Sequence, residues 1–234
     1  MKITIEDKHK LVNSVFSEVS RKYDLMNDIM SLGIHRLWKE KFIDWMNPQP
    51  NTKLIDVASG TGDIAKLFFN KTNNTGKITC IEPNIKMLEQ GKNKLKNHDT
   101  INWINAQAEE IPLKDNTFDY YSISYGIRNV SNINYALKEA LRVLKPGGRF
   151  MCLEFSKIDN ELLNFLYRQY SKTIPLIGKL IVGSEKPYEY LIDSIENFYN
   201  QDQLADLMVN NGFSNIEFRN LSSGISAIHS GWKI

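Results

Sequence analysis

Leu54-Ile55-Asp56-Val57-Ala58-Ser59-Gly60-Thr61-Gly62-Asp63-Ile64-Ala65 decides the fold of this chain. Leu54 to Val57 is a short apolar run with β-branched members, which predicts a strand. The small residues and glycines after it let the backbone turn tightly and approach a ligand. Thr61 or Gly62 then opens an amphipathic segment that continues through Leu67 and Phe68. Strand, tight turn and helix in this order leave backbone N–H groups free to hold a nucleotide-like ligand. Many nucleotide-binding proteins share such a turn, so its neighbours must say what it holds.

On its C-terminal side the pattern alternates strand and helix. Strands are predicted at Lys77 to Ile81, Ile101 to Ile104, Phe118 to Ser124 and Arg149 to Phe155. Between them, Ile85, Met87, Leu88 and Leu95, and later Ile133, Ala136, Leu137, Ala140, Leu141 and Leu144, recur at helical spacing. Lys145-Pro146-Gly147-Gly148 reads as the turn that stops the second of these helices. Repeated β–α units require a parallel sheet covered on both faces. After Ser156 the rhythm breaks: residues 157–199 are apolar and aromatic with few strand signals, either a helical insertion packed on the core or a cover for a cleft. A helix from Gln201 to Asn210 and strands near Ile216–Leu221 and Ile225–His229 complete the domain.

On its N-terminal side, Leu11, Val12, Val15, Phe16 and Val19 share one helical face within His9 to Tyr23. A second helix is expected from about His35 to Met46, ended by Asn47-Pro48-Gln49-Pro50. Residues 1–50 thus read as a helical arm, a substrate or lid region, ahead of a domain at 51–234 with a helical insertion at about 157–199.

The totals agree with a soluble globular protein. The chain has 234 residues, 42% hydrophobic and 24% charged, enough for one large domain with a core. With 29 basic and 27 acidic residues the net charge is +2, too balanced for a nucleic-acid surface. Cys80 and Cys152 lie in strand-like runs and read as buried reduced thiols, with no metal site, in a cytoplasmic protein. No run approaches the ~18 apolar residues of a membrane span, and no signal-peptide core stands at Met1–Glu6, so membrane contact would be peripheral.

In an open parallel sheet the ligand lies beyond the carboxyl ends of the strands. That rule gathers Asp56 through Asp63, Glu82, Ala106 to Glu109, and Ser124 to Asn129. Glu82 stands about twenty residues past the glycine turn, where a carboxylate accepts both hydrogen bonds of a ribose diol. Gln107-Ala108 suits an adenine edge, an amide beside a small residue. The ligand reads as a dinucleotide or S-adenosylmethionine. Asp63, directly after the Ala58-x-Gly60-x-Gly62 frame, disfavours a pyrophosphate and tolerates a ligand bearing a sulfonium and an ammonium.

Val57 to Asp63, Ile123 to Val130, Arg142 to Gly148 and Leu153 to Lys157 resemble the ubiquinone/menaquinone biosynthesis C-methyltransferases, class I S-adenosylmethionine-dependent enzymes. The arm, Tyr23-Asp24-x-x-Asn27-Asp28-x-x-Ser31-x-Gly33-x-His35-Arg36-x-Trp38-Lys39, resembles that family's entry motif. Ser59 stands where a glycine is usual, and Gln107 where an asparagine is common. The resemblance implies a Rossmann-like α/β fold, its seven-stranded sheet mostly parallel with the last strand antiparallel. It implies cofactor contacts at Thr61, Glu82, Gln107, Ala108 and Ser124, to which the turn adds Asp56, Gly60 and Gly62. It also implies a polyprenyl quinol substrate, a methoxybenzoquinol or a demethylmenaquinol, methylated at a ring carbon.

Carbon methylation needs the reduced ring, because a deprotonated hydroxyl pushes electron density onto the adjacent carbon. Arg128 and Asn129 are expected to position the quinol and stabilise phenolate charge, with a structural salt bridge as the alternative for Arg128, and Arg128→Ala to keep cofactor binding while losing turnover. Arginine is a poor base, so a water or carboxylate relay is expected. Tyr23 and His35, with Asp24, Asn27 and Arg36, are candidates to close over the ligand. The isoprenoid tail calls for an apolar groove, for which residues 156–199 are the candidate, and for peripheral contact with the inner face of a membrane. A homodimer or a quinone-synthesis complex is compatible with these features. Alternatives are a methyltransferase of another phenol or lipid, a dinucleotide oxidoreductase, and a cofactor-binding scaffold without turnover. Adenine-N6 methylation is disfavoured, since Ser124-Tyr125-Gly126-Ile127 stands where an Asp/Asn-Pro-Pro-aromatic tetrad would follow the fourth strand.

Overall fold

β1 (Lys53–Val57) lies at the middle of the sheet, and the other strands are laid down outward from it. The computed structural model describes residues 5–19, 25, 27, 28, 31, 33–158, 161, 165, 167, 169, 170, 173 and 185–234. Among these, β2 (Lys77–Ile81), β3 (Ile101–Ile104), β4 (Phe118–Ser124), β5 (Leu144–Phe155), β6 (Ser214–Leu221) and β7 (Ser226–Trp232) join β1 in one sheet. Their order is β3-β2-β1-β4-β5-β7-β6. β1 pairs in parallel with β2 and β4, β2 with β3, and β4 with β5. β7 is antiparallel to both β5 and β6, so it alone runs against the rest. The strand order reverses between β1 and β4, and a crevice opens beyond their carboxyl ends.

Helices cover both faces, as the strand periodicity dictates. Ile55, Val57, Tyr121, Ile123 and Cys152 point to one side, against α5 (Ile133–Val143) and α7 (Gln201–Asn210). Leu54, Ile78, Cys80, Met151 and Leu153 point to the other, against α2 (His35–Met46) and α3 (Asp63–Lys71). Alternation with a period of two makes each buried strand feed both cores. Side-chain caps set the helix starts: Asn84 for α4 (Ile85–Lys94), Asn132 for α5, and an Asn200–Gln203 capping box for α7. Both cysteines are free and buried.

The arm is tied to the sheet through α2. The Arg149 guanidinium sits between the rings of Trp45 (5.2 Å) and Trp232 (5.0 Å), and its Nη1 donates to the Trp45 carbonyl at 2.7 Å. Trp38 donates from Nε1 to Ser222 Oγ at 3.0 Å and meets Phe155 edge to face. α1 (Ile5–Val19) packs against α4 and α6 (Lys186–Glu196).

Two local expectations differ from the structure. α1 is described as far as Val19, and Leu11 on its expected inner face is exposed. Lys145-Pro146-Gly147-Gly148 is an irregular start to β5, with a register shift against β4, instead of a separate turn. Backbone bonds to Lys233 hold it there: Gly147 N–H donates to its carbonyl at 2.7 Å, and its own N–H donates to Gly148 O at 3.0 Å. In residues 157–199 α6 is helical and Phe165 is exposed, while Leu166, Ile174, Ile177 and Ile181, expected to form a groove, lie outside the described residues.

Candidate active site

The crevice between β1 and β4 is built from two loops in close contact. Ala58 and Tyr125, the first residues past these strands, both take left-handed φ values, 51° and 56°. Such values are uncommon away from glycine and cost energy that the surrounding packing must offset. Gly126 faces Ala58 so closely that an added Cβ would stand 2.5 Å from the Ala58 Cβ. At Gly62, φ is 85° and a Cβ would meet Leu95 at 2.6 Å, so glycine alone lets α3 start against the end of α4.

Glu82 anchors the turn. Its Oε2 accepts the Gly60 N–H at 2.8 Å and its Oε1 accepts the Asn84 N–H at 2.9 Å. Burial pushes its carboxyl up to about 7, against these two bonds. Each oxygen retains acceptor capacity toward a ligand. Asn84 in turn donates from Nδ2 to Asn13 Oδ1 and Ser17 Oγ, which latches α1 over this end of the crevice. The result is a cleft of about 250 Å³. Glu82, Met87, Gln107, Ala108 and Asn129 line it from the sheet side, and Val12, Asn13 and Phe16 from α1.

Past Gly60 the cleft continues into a smaller polar compartment, bounded by Asp56, Ser59, Thr61, Asp63, Ser124, Tyr125 and Lys39. Asp56 is almost fully buried, and burial raises its carboxyl to about 7 although Ser122 Oγ donates to its Oδ1 at 2.6 Å. Asp56 Oδ2 and Ser124 Oγ are buried with no hydrogen-bond partner among the described residues. Orphaned polar atoms of this kind call for a ligand or water.

The structure therefore brings Asp56, Gly60, Thr61, Glu82, Gln107, Ala108 and Ser124 to the walls of one continuous crevice, with Gly62 shaping the turn behind them. This donor set fits S-adenosylmethionine: a carboxylate for a diol, an amide and a small residue for a base, and unpaired polar atoms beyond them. Asp63 does not support the choice in the way its sequence position suggested. Burial works against its charge, yet Lys39 and Lys94, each 2.7 Å from one of its oxygens, hold it well below the usual carboxylate range. Two ammonium groups outweigh that carboxylate, so it repels no phosphate.

The residues expected at the reaction centre separate. Asn129 lines the cleft, and its Oδ1 accepts from Tyr190 OH at 3.0 Å. Arg128 is turned away into a buried ion pair: Nη1 lies 2.5 Å from Glu154 Oε1 and donates to the Tyr125 carbonyl at 2.8 Å. His35 is buried in the arm, where Nε2 meets Asp28 Oδ1 at 2.9 Å, and burial lowers its pKa in spite of that bond. Arg36 clamps the same carboxylate. This network orders the arm and is not part of the cleft wall. Tyr23 and Asp24 lie outside the described residues.

Sequence reasoning missed three contributors: Lys39, Glu154 and Tyr190. Two left a signal. Lys39 falls in line with His35, Phe42 and Met46 on the buried face of α2. Glu154 is a lone carboxylate in an apolar strand, which demands a partner.

Comparison with known proteins agrees with this arrangement. The model of the ubiE/COQ5 methyltransferase family matches residues 2–233. A ubiquinone/menaquinone biosynthesis C-methyltransferase of Rickettsia bellii is 50% identical, covering 100% of this chain and 96% of the relative. A mitochondrial 2-methoxy-6-polyprenyl-1,4-benzoquinol methylase of Dictyostelium discoideum is 44% identical, covering 98% and 83%. Among solved structures, a SAM-dependent methyltransferase from Thermotoga maritima superimposes with a TM-score of 0.65 at 21% identity, over 94% of this chain and 99% of that one. That likeness is one of fold. With matching sequence over nearly its whole length and the crevice such enzymes need, the chain belongs to the ubiE/COQ5 methyltransferase family.

Proposed function

We propose that this protein transfers the methyl group of S-adenosylmethionine to a ring carbon of a polyprenyl quinol in ubiquinone or menaquinone biosynthesis. The observation that carries this reading is the 50% identity, over the whole chain, to a C-methyltransferase of that biosynthesis. When bound, S-adenosylmethionine supplies an electrophilic methyl on a sulfonium. Glu82 would take the ribose, and Gln107 and Ala108 the base. The chain's task is then to present a ring carbon in line with the methyl and to assist loss of a ring hydroxyl proton. Asn129 is the polar group on the cleft wall suited to a ring hydroxyl, its amide oriented by Tyr190. Arg128 acts behind it as a positioning residue, tying the Ile127–Asn129 turn to Glu154 in β5. Val12, Phe16, Met87 and Val130 give the cleft an apolar wall for an isoprenoid tail.

In this reading residues 1–50 and 157–199 are covers on the domain at 51–234, and substrate reaches the cleft from a membrane surface. Among the described residues no helix is long and apolar enough to cross a membrane. One experiment joins both parts: vesicles carrying the reduced precursor, protein and labelled S-adenosylmethionine are floated, and the lipid is analysed. Labelled quinol together with floated protein is expected, and none with the oxidised quinone. Absence of label from the quinol contradicts the function, and protein left at the bottom contradicts the membrane contact.

Asp56 and Glu82 give a pH signature. Both folded carboxyls are raised to about 7 from 3.8 and 4.5. The native state thus holds protons that the unfolded chain has released. Their contribution to stability is full below about pH 4 and is lost as the pH rises through about 7. A ligand offering an ammonium and a diol favours the ionised forms. S-Adenosylhomocysteine affinity should therefore rise with pH up to about 7 and level off above it, with proton release on binding. Calorimetry in buffers of different ionisation enthalpy reads both quantities.

A further inference from the structure

The polar compartment past Gly60 has opposite electrostatic character on its two walls. Lys39 forms one wall. It is 7% exposed, unusual for a lysine, and its Nζ donates to Asp63 Oδ2 at 2.7 Å. An ammonium has three donors, and Asp63 is already shared with Lys94. Asp63 is thus shared between two ammonium groups, which leaves Lys39 donor capacity for a second anion. The other wall holds Asp56 Oδ2 and Ser124 Oγ, both buried and without a partner among the described residues. Ala58, Gly60 and Tyr125 border this compartment and the main cleft alike, so one ligand can occupy both. A zwitterion with its carboxylate toward Lys39 and its ammonium toward Asp56 satisfies each wall.

We infer that Lys39, contributed by the arm helix α2, binds the carboxylate of the methyl donor's amino-acid end, opposite Asp56 and Ser124. This rests on the cofactor reading above and extends it: the cofactor site is completed by a residue from outside the sheet domain. Docking of α2, held by the Trp38–Ser222 and Arg149–Trp45 bonds, becomes a condition for tight cofactor binding.

Two ligands separate this role from a structural one. S-Adenosylhomocysteine carries the amino-acid end, whereas 5′-methylthioadenosine keeps the adenosine and thioether and lacks it. For Lys39→Met, calorimetry should show the first weakened about 10- to 30-fold and the second by less than about twofold. Lys39→Arg should recover most of the loss. Lys94 does not line the compartment; Lys94→Met removes its bonds to Asp63 Oδ1 and Thr61 Oγ1 but leaves Lys39 in place, and should leave the ratio of the two affinities unchanged. Should Lys39→Met fail to fold, Lys39→Gln, which keeps donors for Asp63, should give the same split. Equal weakening of both ligands, or undiminished S-adenosylhomocysteine binding, overturns the assignment. Wild-type protein that binds neither ligand overturns instead the cofactor reading beneath it.

Discussion

Arg128→Ala should lower the unfolding free energy by about 3–5 kcal/mol at pH 7, the usual consequence of removing one partner of a buried ion pair. Both side chains are almost fully enclosed, at 4% and 2% exposure. Without the guanidinium, Glu154 keeps the Phe155 N–H at 2.9 Å but loses its cation. Burial already raises the Glu154 carboxyl, and the variant raises it further. A carboxyl with a raised folded pKa contributes stability that is present at low pH and lost as the pH rises through that value. The defect should therefore be larger at pH 8 than at pH 5. Arg128→Met with Glu154→Met, which removes both charges at similar volume, should recover much of the loss. Urea unfolding at the two pH values measures this. A midpoint unchanged at both would show that the pair carries no stability. The same variant was expected from sequence to bind cofactor and fail only in turnover. The buried pairing makes instability the primary effect.

The second large effect is on cofactor binding. Glu82→Ala should weaken S-adenosylhomocysteine by about two orders of magnitude. It removes a charged acceptor, worth about 1.5–3 kcal/mol per hydrogen bond, from the ligand and from the turn together. Gly60 and Asn84 would lose the oxygens that hold their N–H groups at 2.8 and 2.9 Å. Asn84 caps α4 and grips α1, so the loss should also loosen the helix that roofs the cleft. Glu82→Gln keeps one acceptor and should fall between the two. Isothermal titration gives the three constants, and an alanine variant within about threefold of wild type would contradict the role of Glu82.

Most of the architecture was legible because its signals are local. Leu54 and Ile55, or Met151 and Cys152, face opposite cores, and the β–α alternation allows few topologies. Asn47 ends α2 in a left-handed conformation just before Pro48, as the linker indicated. Direction was harder: the reversed β7 came from family resemblance, since periodicity does not encode strand polarity. Site residues on the sheet were legible through their place at strand ends. What escaped were pairings across long sequence distance. A salt bridge at Arg128 could be anticipated, but not that its partner is Glu154, twenty-six residues on. Asp63 reads as a lone negative charge until Lys39 and Lys94 arrive from two other helices. Tyr190 gave no local sign that its hydroxyl would orient Asn129. Each of these depends on tertiary contacts that no local pattern specifies.

The most direct measurement is the position of the transferred methyl. Purified protein is incubated with ¹³C-methyl S-adenosylmethionine and each reduced polyprenyl precursor, and the product is examined by NMR. The expected result is a methyl signal coupled to a ring carbon of the quinol. A methyl attached to oxygen, or turnover only with phenols that have no polyprenyl chain, would contradict the assignment.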